Sequence, residues 1–344
     1  MQFEKLLELY DYRFPEKAIA QCPASPRDSA KLLIYDRKTE KVFLDVFRNL
    51  GDHLPPKAVL VLNETKVIPA RIRAKKSTGG KVELLYVGEE KGNLRFMVNR
   101  KIRPGEKIFL DSRNFLTLVD QKEGIGLFEP SFPARNIFGV LEKFGETPIP
   151  PYIKHSPLKE PELKEKYQAV FARVRGSVAA PTASLHFTKR LMAKLQKSGF
   201  DLKFVILHVN LGTFAKLTPE QIKRSKLHEE FYEIDPGMAA FLNKAKNQGR
   251  PIVAVGTTVV RTLESASDAK GNLTKLSGET SLFIKEGYRF RFVDSLITNF
   301  HVPKSSLLML VSAFAGRKQI LDLYRKAIAK DFRIFSFGDG MLLK

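Results

Sequence analysis

Four histidines in the C-terminal half lie among small and polar residues: His186 within 177–188, His208 within 208–213, His228 within 226–230 and His301 within 296–301. Ala179, Ala180, Pro181, Thr182, Ala183 and Ser184 supply no large side chain, so that stretch fills no core. Close approach of a ligand explains it better than packing does, and His186 follows directly. At 208–213 a strand runs into a Gly-Thr turn, where His208 is placed for acid–base work and Asn210 to donate a hydrogen bond. A strand-end histidine bonded to backbone is the competing reading. His228 precedes Glu229 and Glu230, an arrangement that taken alone reads as a solvated helix start.

Gly256, Thr257 and Thr258 form a strand-to-helix turn, with Arg261 one turn further on. Free amides, two hydroxyls and a guanidinium there suit a carboxylate or phosphate. An ordinary helix cap would look the same. The turn is neither a dinucleotide fingerprint nor a phosphate-binding P-loop. Metal chemistry has no spacing to support it, with no H-x-H, H-E-x-x-H or C-x-x-C, and Cys22 is the single cysteine.

These segments need elements to hold them. Residues 31–36 and 58–63 are short apolar runs typical of buried strands. From 66 to 150 the texture changes to β-prone runs at 67–73, 81–87, 94–98, 107–110, 115–119 and 125–128, separated by glycine turns such as Gly79-Gly80 and Gly124. That pattern predicts a small antiparallel barrel. Beyond 151 strands and helices alternate: strands at 204–209 and 252–256, helices at 236–248, 305–314 and 318–330, and a helix after the Thr188 cap. The fold expected is a layered α/β catalytic domain, 1–65 with 151–344, carrying an inserted antiparallel β-barrel domain, 66–150.

Lys and Arg number 58 against 37 Asp and Glu, a formal charge of +21. Such an excess fits a phosphate backbone, through counterion release and steering. A membrane is disfavoured, because no basic amphipathic helix concentrates the charge and no run approaches about 18 apolar residues. The N-terminus lacks a signal peptide's apolar centre, and one cysteine suits a reducing cytoplasm.

Taken in order, the segments resemble the S-adenosylmethionine:tRNA ribosyltransferase-isomerase family of queuosine biosynthesis over nearly the whole chain. The resemblance rests on 10–21, 62–71, 79–83, 167–171, the His186, His208 and His228 segments, 255–265, 292–304 and 335–341. Among them stand Val255-Gly-Thr-Thr-Val-Val-Arg-Thr-Leu-Glu-Ser265 and Phe335-Ser-Phe-Gly-Asp-Gly-Met341. The chain departs from the family pattern at Arg175, where Pro is expected, and at Ser184 and Asn210, where Gly is expected; Asn210 is therefore a doubtful ligand donor.

The resemblance implies transfer of the ribosyl part of S-adenosylmethionine to 7-aminomethyl-7-deazaguanine at the wobble position of a tRNA with a G-U-N anticodon. The ribose is isomerised, epoxyqueuosine forms, and adenine and methionine leave. The sulfonium donor is consumed as a substrate, with no cofactor and no metal, by a cytoplasmic monomer without a membrane role. The sulfonium acidifies the adjacent C5′ hydrogens, so the chemistry needs a base, an acid and an electrostatic cradle. His186, His208, His228 and Glu229 are the candidates for proton transfer. Thr182, Gly212, Thr213, Gly256, Thr257, Thr258, Arg261, Asn299 and His301 would hold the donor. Lys66, Arg71, Arg73, Lys75, Lys76 and Lys81 are candidate tRNA contacts, or else a solvated basic surface. Two rivals are an RNA-binding barrel with an inert partner domain and a methyltransferase, the latter lacking its glycine-rich loop.

Overall fold

The computed structural model describes residues 2–210 and 217–344. The chain lays down β1 (Lys31–Tyr35), β2 (Val42–Val46) and β3 (Val59–Asn63), then the short β4 (Thr65–Val67). Six strands follow: β5 (Arg71–Lys76), β6 (Lys81–Glu90), β7 (Asn93–Val98), β8 (Lys107–Phe109), β9 (Phe115–Lys122) and β10 (Ile125–Pro130). After β11 (Gly145–Glu146) and β12 (Val174–Ser177) come β13 (Asp201–Leu207), β14 (Lys226–Glu233) and β15 (Ile252–Val255). The chain closes with β16 (Ser277–Leu282), β17 (Ser295–Asn299) and β18 (Gly340–Leu343).

Among the described residues, nine strands make one sheet in the order β16-β14-β13-β3-β15-β17-β18-β1-β2. Its centre is parallel: β3 pairs with β13 and β15, and β15 with β17. Antiparallel strands finish both sides, so the sheet is mixed. Every residue of β3, β15 and β17 is buried, as expected where layers cover both faces. Alternation sorts the side chains. Val59, Val61, Ile252 and Ala254 pack into the core on one face, and Leu60, Leu62, Val253 and Val255 into the core on the other.

Strands β5, β6, β7, β10, β9 and β8 pair in that order, and β5 pairs again with β8, closing an antiparallel barrel. Period-two burial along β7 supplies its own core, around Phe96, Phe128 and Leu84. The barrel falls between β3 and β13 of the large sheet, an insertion into the α/β architecture.

Two details differ from the sequence expectation. The run at 67–73 is not one strand: β4 ends at Val67 and β5 begins at Arg71. Pro69 between them has no N–H to give a ladder, and Ala70 turns back to donate to the Ile68 carbonyl at 2.7 Å. The segment 226–230 is not a helix start but the first part of β14. Neighbouring strands override its polar composition, because β14 bridges β13 and β16.

Candidate active site

The parallel strands β13, β15 and β17 end on the same side, and the segments that follow them line one cleft of about 640 Å³. Sheets of this kind bind ligands beyond the carboxyl ends of their strands, and the volume suits a nucleoside-sized molecule. Phe3 and Leu7 of the helix Gln2–Glu8 form part of the wall, with Tyr152, Phe300 and Phe335.

One stretch of the cleft wall is a helix start, which suits negative charge. Gly256 ends β15 at φ 95°, a conformation that favours glycine, and begins the helix Thr257–Ala266 without a side-chain cap. The first amides of that helix have no intrahelical partner, and Gly256, Thr257 and Thr258 border the cleft. Arg261 lines the same cleft and pairs with Glu230 of β14, both side chains being buried. Glu230 Oε1 also accepts the Asn210 backbone N–H at 3.0 Å. Arg261 Nε and Thr258 Oγ1 are buried without a hydrogen-bond partner among the described residues.

A neutral, hydrogen-bonding set adjoins this helix start, since a Cβ on Gly256 would stand 3.7 Å from Ala183. Thr182 Oγ1 donates to Asn299 Oδ1 at 2.9 Å, and Asn299 Nδ2 donates to His186 Nε2 at 3.3 Å. His186 lies against Phe47, ring centroids 4.7 Å apart. Burial, aided by the charges of Arg333 and Arg27, pushes its pKa down to about 3. The imidazole is therefore neutral at pH 7, and the amide designates Nε2 as its acceptor. His301 lines the cleft itself; its Nε2 lies 2.8 Å from Thr298 Oγ1, and burial lowers its pKa to about 3. Two tyrosines hold its backbone: Tyr12 donates to the His301 carbonyl at 2.6 Å, and the His301 N–H donates to the Tyr324 hydroxyl at 2.9 Å.

The sequence profile described as Queuosine biosynthesis protein matches residues 7–343. The chain belongs to this family. It is 45% identical to the S-adenosylmethionine:tRNA ribosyltransferase-isomerase of Carboxydothermus hydrogenoformans, over 98% of this chain and 99% of that one. Identity to the protein of the same description from Moorella thermoacetica is 43%, over 98% and 99%. The crystal structure of S-adenosylmethionine tRNA ribosyltransferase from Thermotoga maritima, 33% identical, superposes with a TM-score of 0.56 and covers 98% of this chain and 100% of that one.

For this member of the queuosine biosynthesis family, the structure draws Thr182, Gly256, Thr257, Thr258, Arg261, Asn299 and His301 into the cleft. Gly212 and Thr213 lie outside the described residues. His186 stands behind Asn299. His208 does not line the cleft; it stacks on Phe231 and its Nδ1 lies 2.8 Å from Thr65 Oγ1. Burial lowers its pKa. His228 is half-buried on β14 and Glu229 is exposed, while the next residue, Glu230, meets Arg261. Period-two alternation is the signal that would have selected Glu230 over Glu229. Of the aromatic wall, Phe335 stands in a segment that carried the resemblance, while Tyr152 and Phe3 had no motif to announce them. Ser184 is buried, and Asn210 Nδ2 donates to the Val87 carbonyl of the barrel at 3.0 Å.

The six basic candidates divide. Arg71 lies beside Glu83, Arg73 pairs with Glu146, and Lys76 with Glu106. Lys66, Lys75 and Lys81 have no ion-pair partner among the described residues, Lys75 and Lys81 being exposed. Among the described residues, no group of three or more His, Cys, Asp or Glu is placed to hold a metal ion, and no helix is long and apolar enough to cross a membrane.

Proposed function

We propose that the chain transfers and isomerises the ribosyl part of S-adenosylmethionine onto 7-aminomethyl-7-deazaguanine at the wobble position of tRNAs with a G-U-N anticodon, giving epoxyqueuosine. The observation that carries this reading is a cleft lined by both a helix start that suits an anion and a neutral hydrogen-bonding set, in a chain of the queuosine biosynthesis family. The helix start at Gly256–Thr258, with Arg261, suits the donor's methionine carboxylate. Thr182, Asn299 and His301 suit the hydroxyls and ring nitrogens of its nucleoside. The apolar wall excludes water while the carbon next to sulfur loses its proton.

Of the four candidates for proton transfer, His186 is the one linked to the cleft, through Asn299 and Thr182. Its neutral imidazole accepts the Asn299 amide N–H and so orients the Asn299–Thr182 pair at the cleft. In this reading His208, His228 and Glu229 are structural. The unit 1–65 with 151–344 holds the donor and the barrel unit, 66–150, adds surface for tRNA. We place the protein in the cytoplasm, where its tRNA is found, acting as a monomer whose cleft is lined from its own chain.

The test is mass spectrometry of suitably modified tRNA after incubation with protein and donor. An added cyclopentane unit and one adenine released per adduct are expected; no adenine release defeats the reading. A donor labelled in its methyl group separates the methyltransferase alternative, since here the label leaves with methionine. Arg261→Gln should raise the KM for the donor while tRNA affinity holds.

A further inference from the structure

A second groove, of about 700 Å³, lies between the β4/β12 ribbon, the helix Ile137–Phe144 after the barrel and the helix Glu160–Lys166. Five cations line it, Arg27, Lys66, Lys164, Arg175 and Lys189, against two carboxylates, Glu142 and Glu165, so its net charge is 5 − 2 = +3. Three of the cations surround one carboxylate. Lys164 Nζ lies 2.5 Å from Glu142 and Arg175 3.9 Å from it, and the charge of Lys66 also acts on it. Glu142 occupies the place an anion would take, and it neutralises only one of the three.

Backbone pairing and hydrogen bonds tie the walls of the groove together. Lys66 and Arg175 are register partners on the parallel ribbon, so both point from the same face. The ribbon is pinned from beneath, where Thr65 meets His208 and Gly176, at φ 150°, leaves room for that imidazole. Both polar atoms of the Gln168 amide bond the Val67 backbone, at 3.0 and 2.8 Å. Arg27 is held by backbone carbonyls, those of Gln168 at 2.6 Å and Glu165 at 3.2 Å. None of Arg27, Lys66 and Lys189 forms an ion pair among the described residues. Several cations spread along one groove, with Arg175, Lys164 and Lys189 exposed, fit a run of phosphates better than a single small anion.

We infer that this groove, separate from the cleft, grips the phosphodiester backbone of the tRNA through Lys66, Arg175 and Lys189, with Arg27 and Lys164 behind them. The inference rests on the tRNA reading above. It gives the positive charge of the chain a specific address that the paired cations Arg71, Arg73 and Lys76 do not offer.

The experiment measures binding of the substrate tRNA across a salt series, for the wild type, for Lys66→Gln/Arg175→Gln/Lys189→Gln, and for a control triple at exposed lysines that line neither cavity, Lys244→Gln/Lys270→Gln/Lys318→Gln. Each lost phosphate contact flattens the plot of log affinity against log salt by about 0.7 to 0.9. The groove variant should lose about 2 from the slope and bind at least about tenfold more weakly near 0.1 M salt, with the donor KM unchanged. Glu142→Gln should bind tRNA several-fold more tightly, a gain that structural damage would not produce. A groove variant indistinguishable from the control triple, or a Glu142→Gln variant no tighter than wild type, overturns the groove while tRNA modification by the wild type stands. A wild type that neither binds nor modifies tRNA overturns the function and the groove together.

Discussion

Glu230 and Arg261 are buried against each other at the border of the cleft, each the other's only charge partner among the described residues. Removing one leaves the other buried and uncompensated, which costs about 3–5 kcal/mol in comparable pairs. Glu230→Gln is therefore expected to lower unfolding free energy by that order in urea titrations. Glu230→Gln/Arg261→Gln should be less destabilised than the sum of its single changes, because no lone charge remains; strict additivity would deny the pair. The buried imidazoles make a second prediction. His186 and His301 stay neutral when folded down to about pH 3, whereas unfolded histidines take up a proton near pH 6.5. Their folded pKa is the lower one, so the unfolded state binds more protons between those values and stability falls with acid. The contribution is intact above about pH 6.5, and about 2 kcal/mol per histidine is lost by pH 5. His186→Gln should shrink the difference between urea midpoints at pH 7 and pH 5; an unchanged difference would show that the imidazole is already charged or solvated.

At the scale of elements, two short connections decide how side chains are aimed. Gly176 lets β12 run beside β4 while the His208 ring packs where its side chain would be: an added Cβ would come within 2.7 Å of Nε2. Gly176→Ala is expected to destabilise by about 1–3 kcal/mol and to weaken tRNA binding more than donor binding, read as a change in tRNA KM. Gly256 plays the matching part at the cleft, since β15 must stop and the helix must start within one residue. This turn was legible in the sequence because a strand run, a glycine and two threonines are adjacent. The helix cap at Thr188 was legible for the same reason, whereas Ser305, read as the first helical residue, is a cap of the same kind, each side chain accepting an amide of the first turn. The ribbon was not legible: β4 and β12 are far apart in sequence, and neither has a pattern of its own.

At the scale of the whole molecule, the barrel and the large sheet keep separate cores, and Asn210 reaches from one to the Val87 carbonyl of the other. Phe96 is fully buried in the barrel between Tyr86 and Phe128, at 5.6 and 5.8 Å between ring centroids. Phe96→Ala should destabilise by about 3–5 kcal/mol in chemical unfolding, and a loss under about 1 kcal/mol would mean the barrel is not packed as described. The sequence by itself determined the α/β architecture, the inserted barrel, the positive charge and the segments that form the cleft, because period, turn residues and composition act between near neighbours. Only the tertiary structure decided that Glu230 rather than Glu229 meets Arg261, that His301 faces the cleft while His208 braces a ribbon, and which cations are left unpaired. Each of these outcomes depends on which distant segments the sheet brings side by side, and burial or pairing at that contact fixes a side chain's charge and partner in a way its sequence neighbours cannot.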